Sequence, residues 1–187
     1  MFGLSGWNGA AEPVFPSNGS WPLVEDRPIG FVGTYPPTKC GIATFTAALS
    51  QAIAPAGSGY RPIVVRCVDR PGAAPQLDEV AAELVRGSSA SRKAAAAALA
   101  GVDVVVLQHE FGIFGGPSGS HVLGLLRDLR MPVVTTLHTV LQEPSVDQRR
   151  TLEQVCDLSA RVVVMTERAR RFLRRHRQER ARGRGGP

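Results

Sequence analysis

Thiols are scarce in this chain. Cys40, Cys67 and Cys156 are odd in number, widely spaced and without a CxxC pair, which argues against a disulfide framework or a zinc knuckle. No metal site is expected. Buried free thiols are the plain expectation, with Cys40 set apart because it lies in a glycine-flanked loop. No apolar run approaches the ~20 residues that cross a bilayer. The opening MFGLSGWNGAAEPVF has neither the basic leader nor the clean apolar core of a secretory signal. A cytoplasmic protein with no membrane span is therefore expected. What remains is an ordinary globular composition, 43% hydrophobic and 20% charged over 187 residues. That length suits one domain with a sizeable core, burying roughly 70% of its unfolded surface, and is short for two α/β domains.

Acid is missing from one end. Residues 168–187 hold nine of the 22 basic residues and a single acid, Glu179, whereas the other 167 residues carry 13 basic and 15 acidic side chains. The basic pI near 10.0 thus belongs to the tail and not to the domain. No aromatic residue follows Phe172, so the arginines read as a disordered basic extension and not as a specific nucleic-acid module.

Residues 1–26 are rich in Gly, Pro, Ser and Asn without a period, the mark of a disordered leader. The pattern then changes. Ile29, Phe31 and Val32 make a short strand ending at Gly33, a loop TYPPTKCG follows, and Ile42, Phe45, Leu49 and Ile53 recur at helical spacing. A second strand covers 61–68. Residues 77–85 fit a helix, and VAAELV within them fits a short edge strand as well. Serine caps and an alanine run predict a helix over 88–100. Val102 and Val104–Leu107 form an apolar, β-branched run suited to a strand covered on both faces. A helix over 118–130, a strand over 133–137, a helix over 143–158 and a strand over 161–165 come next. Thr166 then caps a helix containing Ala169, Phe172 and Leu173, and the apolar period ends after Arg174. Such alternation predicts an α/β domain over 27–173, with a Rossmann-like, doubly wound and mostly parallel sheet of five or six strands. Residues 174–187 are expected to be a disordered Arg/Gly-rich tail.

The chemistry gathers where apolar strands stop. His109 and Glu110 follow the central run, and His138 ends the next strand. In open α/β sheets ligands collect outside the carboxyl ends of strands, so the two histidines are expected side by side on one rim, able to bond a polyhydroxyl ligand or polarise a reacting group. The plainer alternative is satisfied loop histidines beside a surface carboxylate. Gly33 and Gly41 bracket the first loop, where backbone amides at a helix start can approach a phosphate; ordinary turn chemistry explains them too. Gly115 and Gly116 suit a rim loop, or a simple connector.

Three segments together resemble the N-terminal half of bacterial glycosyltransferases of family 4: GTYPPTKCGIATFT (33–46), VDVVVLQHEFGIFGG (102–116) and PVVTTLHTVL (132–141), with SARVVVMTERARRFL (159–173) in support. The resemblance implies one half of a GT-B architecture, in which two Rossmann-like domains face each other across a cleft. The N-terminal one mostly binds the acceptor and the C-terminal one the nucleotide-sugar donor. It implies a hexosyltransferase-type reaction, the retaining transfer of a sugar to an acceptor hydroxyl, in which electrostatic support of the leaving phosphate outweighs a dedicated base. No cofactor is implied beyond the nucleotide diphosphate sugar as co-substrate.

By position, Gly41 falls in the glycine loop that approaches the donor diphosphate, with Cys40 where many relatives carry a further glycine. His109 and Glu110 line the acceptor side, Gly115 and Gly116 lie on an acceptor-side loop, and His138 reaches the reacting sugar. A relative would continue past Arg174 into a donor-binding domain. The chain alone is therefore expected to be incomplete as an enzyme, with two explanations open: a frameshift that replaces the following half by the Arg-rich end, or a one-domain protein whose partner chain supplies that half. The alternative from another class is a non-catalytic sugar- or partner-binding module.

Overall fold

Six strands run parallel in a single sheet: β1 (Arg27–Gly33), β2 (Tyr60–Val68), β3 (Val80–Val85), β4 (Val104–His109), β5 (Val133–Leu137) and β6 (Arg161–Val164), in the order β3-β2-β1-β4-β5-β6. The structure is a computed structural model that describes residues 27–54, 58–72 and 76–183. The leader expected over 1–26 and residues 184–187 lie outside the described residues. The chain begins mid-sheet, winds outward through β2 to β3, then returns beside β1 and winds the other way. Strand order therefore reverses between β1 and β4, where neighbouring crossovers leave on opposite faces and open a crevice at the carboxyl ends.

Burial follows the two-residue period of a strand. Val32, Val65, Val105, Leu107 and Leu137 join one cluster with Leu99, Leu125, Leu152 and Val155, from or beside α2 (Ser89–Ala98), α3 (Val122–Asp128) and α4 (Val146–Leu158). Ile29, Phe31, Val64 and Val106 face the other way and meet Ala47 and Leu49 of α1 (Gly41–Ile53). The buried stripe of α1 is Ala43, Thr46 and Ser50, while Phe45 and Ile53 stay at the surface. Small residues bring this helix close to the sheet, and the Thr46 and Ser50 hydroxyls donate back to the Ile42 and Ala47 carbonyls.

Several local expectations change. The ambiguous stretch 77–85 is a strand from Val80, because Glu83 on it pairs with a buried arginine of β2. The helix expected over 118–130 is a 3-10 turn at Pro117–Gly119 followed by α3, and the break falls where Gly116, Ser118 and Gly119 all have positive φ. Helix α4 starts at Val146, not at Glu143, because Ser145 and Gln148 form a capping box. The last helix, α5 (Glu167–Gly183), runs past the expected boundary at Arg174. Arg, Gln, Glu and Ala favour helix without needing an apolar face, and His176 of α5 is buried with its Nε2 2.9 Å from the Leu141 carbonyl. Among the described residues no helix is long and apolar enough to cross a membrane. At the β6 edge, Val163 and Met165 are about half exposed, so part of that sheet face is bare.

Candidate functional site

The register of the two central strands decides where the histidines go. His109 is the last residue of β4 and lies opposite Leu137 of β5. His138 is one residue further on, and side chains alternate along a strand, so the two imidazoles leave the sheet on opposite sides. Their backbones are joined, the His138 N–H donating to the His109 carbonyl at 3.0 Å. The side rings are not.

His109 has no exposed surface and sits edge-on to Phe111 (5.3 Å) and stacked on Phe114 (6.0 Å). Neither ring nitrogen has a hydrogen-bond partner among the described residues. Burial, with a smaller contribution from neighbouring His138, pushes its pKa down to about 4, so it is neutral at physiological pH. The expected pair of imidazoles at one lip is thereby corrected: in this arrangement His109 packs behind the rim.

His138 is the histidine that reaches the rim. It is partly exposed, its ring meets Phe45 of α1 edge-on at 5.2 Å, and its Nε2 lies 2.8 Å from Gln108 Oε1. An amide oxygen only accepts, so this contact puts the neutral-state proton on Nε2 and leaves Nδ1 as an acceptor. Burial lowers the His138 pKa, and the Glu110 carboxylate opposes that effect. Glu110 itself is engaged, one oxygen accepting from the Phe111 N–H at 2.8 Å and the other from the Thr139 hydroxyl. It braces the residue after His138 against the end of β4.

At the start of the helix that carries Phe45, Cys40 is the N-cap of α1. Its sulfur accepts from the Ala43 N–H at 3.4 Å and lies 3.2 Å from the Thr34 hydroxyl oxygen. Gly41 opens the helix, and a Cβ built there would meet nothing within 4 Å. Internal packing therefore does not demand glycine at this position; its effect is to leave the helix start bare. Gly115 and Gly116 differ. Both have positive φ, at 76° and 73°, and a Cβ on Gly116 would lie 2.6 Å from the His121 ring. Backbone conformation and close packing account for that pair, on the side of the sheet where His109 lies.

Three residues of this region were given no role from sequence. Gln108 is fully buried and orients His138; its signal was a polar residue closing an apolar run. Phe45 looked like a core residue of α1 and instead walls His138. Arg66, in the apolar string RPIVVRCV, is fully buried and donates to Glu83 Oε1 at 2.8 Å and to the Pro36 carbonyl at 3.3 Å. Glu83 also accepts from the Gly72 N–H, and these contacts, the backbone one foremost, hold its carboxyl below the usual range. The arginine thus ties the β1–α1 loop to β2 and β3. Among the described residues no group of three or more His, Cys, Asp or Glu is gathered as a metal ion requires.

Taken together, these features define a Rossmann-like α/β domain with a polar rim at the topological switch point. Comparison with known proteins supports the fold. An α-glucosyltransferase solved with UDP and a 13-mer DNA containing a central A:G mismatch matches with a TM-score of 0.50 at 13% identity, over 75% of this chain and 37% of that one. A second structure, α-glucosyltransferase with UDP and a 13-mer DNA containing a HMU base, gives 0.48 at 14% identity, over 74% and 38%. The chain thus spans little more than a third of those proteins. No protein-family model and no curated protein sequence matches it. At such identity the likeness is one of fold alone, that of a Rossmann-like α/β domain.

Proposed function

We propose that this domain is the acceptor-side half of a retaining glycosyltransferase of the family 4 type, acting with a nucleotide diphosphate sugar. One observation carries the reading: a neutral, partly exposed His138, fixed by a buried Gln108, stands at the switch-point rim with α1 and its bare helix start at Gly41 on the neighbouring side of the crevice. In this reading the amides at the start of α1 face the donor diphosphate, and Nδ1 of His138 accepts a hydroxyl of the transferred sugar. The anomeric C–O bond to the diphosphate breaks and a bond to the acceptor oxygen forms on the same face. The acceptor proton leaves with the diphosphate oxygen. Glu110 and His109 act here as positioning residues, the one bracing Thr139 and the other filling the space behind the rim. A second lobe, in the same protein or on a partner chain, would hold the base and ribose, while the diphosphate bonds the start of α1 on this chain.

A non-catalytic sugar-binding module is the second reading, favoured by the engagement of Glu110 and the burial of His109, which leave only Nδ1 of His138 open to ligand among the expected three residues. Radiolabelled nucleotide sugars, beginning with UDP-glucose, separate the two. Hydrolysis or transfer that His138→Ala lowers by about 100-fold or more supports the enzyme. Saturable sugar binding with no turnover supports the module, and turnover indifferent to His138→Ala contradicts the proposed site.

A further inference from the structure

The carboxyl ends of β1, β2 and β3 enclose a second cleft, of about 330 Å³, small enough for one monosaccharide-sized group. Its floor is apolar and inert. Cys67 and Ile113 are buried there, and burial pushes the Cys67 thiol up to about 12, so the sulfur stays protonated and is no nucleophile. Its walls are polar. Thr34 and Thr38 come from the β1–α1 loop, Asp69 and Arg70 from the end of β2, and Arg86 from the end of β3.

The arginines are not spent. Arg86 is anchored at its backbone, whose N–H donates to the Val68 carbonyl, and at its stem, which packs beside Gly115. Its Nε holds Asp69 Oδ1 at 2.8 Å, and no partner for its two terminal nitrogens is found among the described residues. Arg70 likewise has none among them. Other arginines near these strand ends are committed: Arg66 to Glu83 and Arg92 to Asp128 at 2.9 Å. Two cations against one carboxylate leave this cleft positive, in a chain whose first 167 residues are net acidic. Guanidinium edges with free N–H pairs match the geometry of phosphate and carboxylate.

We propose that this cleft is a subsite for a hydroxylated ligand ending in an oxyanion, a sugar phosphate or a uronate, with Arg86 and Arg70 on the anion and Asp69, Thr34 and Thr38 on hydroxyls. The inference rests on the glycosyl-transfer reading only in making that ligand the acceptor. Thr34 follows Gly33, whose Cβ position is 3.0 Å from Gln108 Cβ, and Thr34 also meets Cys40, so the cleft adjoins the crevice where transfer is proposed.

Calorimetric titration of the full chain at low salt tests it, with glucose 6-phosphate, glucuronate, glucose and inorganic phosphate as probes. Glucose 6-phosphate or glucuronate is expected to bind saturably, at least about tenfold tighter than glucose or inorganic phosphate, and whichever binds tighter identifies the anion. The double variant Arg70→Ala/Arg86→Ala should lose about tenfold or more, and the Arg70→Lys/Arg86→Lys pair, which keeps charge and fold, should lose less. Glucose binding as tightly as the anionic sugars, inorganic phosphate matching them, or an unaffected alanine pair overturns the subsite. UDP titrated into the same samples keeps the two readings apart. Loss of UDP binding with intact sugar-phosphate binding would sink the transferase reading alone, and the reverse would sink the subsite alone.

Discussion

A single residue of register separates the two histidines, and its consequences are measurable. His109 is held neutral by burial, with a pKa of about 4 against 6.5 for an ordinary imidazole. Between those values the unfolded chain binds a proton that the folded chain does not, so stability falls as pH drops through the window, by roughly 3 kcal/mol from this residue, and is unaffected above it. His138, also lowered, adds in the same direction. His109→Phe should keep the packing against Phe111 and Phe114 and flatten the loss of stability between pH 7 and pH 4.5, read by urea unfolding at each pH. An unchanged slope would mean that acid sensitivity arises elsewhere. The Gln108 contact makes a second prediction: nitrogen NMR should find neutral His138 protonated on Nε2, and Gln108→Ala should mix the two tautomers. That a polar QHE triplet closes the central strand was legible in the sequence. Which imidazole faces which side was not, because extending β4 by one residue, to His109, sends the ring to the opposite face.

At the scale of elements, glycines of one chain do different work. Gly116→Ala forces a left-handed φ on a residue with a Cβ and drives it into His121; a loss of about 2 kcal/mol or more in thermal or denaturant unfolding is expected. Gly41→Ala meets open space in the first turn of α1, so stability should stay level or rise by up to about 1 kcal/mol, while UDP affinity falls if the bare helix start receives a diphosphate. A Gly41→Ala variant that binds UDP normally would remove that role. Strands were legible wherever β-branched runs were long, and α2 from its serine cap and alanines. The stretch 77–85 was not, since its fate depends on Arg66 in another strand, and α5 outran its apolar period because arginine and glutamine sustain a helix that sequence periodicity does not register.

For the whole molecule, winding out from a central β1 in both directions creates the crevice before any side chain is chosen, and this much follows from alternating strands and helices. What the pattern does not reveal is how the rim is held. Arg66 joins the β1–α1 loop, β2 and β3 through a buried pair with Glu83, and Arg66→Met should cost about 3 kcal/mol, in the range for breaking a buried ion pair, with the effect on unfolding and not confined to ligand affinity. In the proposed function, ligand meets the protein at the switch-point rim. Titrating UDP-glucose into isotopically labelled chain and mapping amide shifts tests it most directly. Saturable shifts centred on Cys40, Gly41 and Gln108–Glu110 and on His138 and Thr139 are expected; shifts confined to α5, or none at saturating ligand, would rule out a ligand site at this rim.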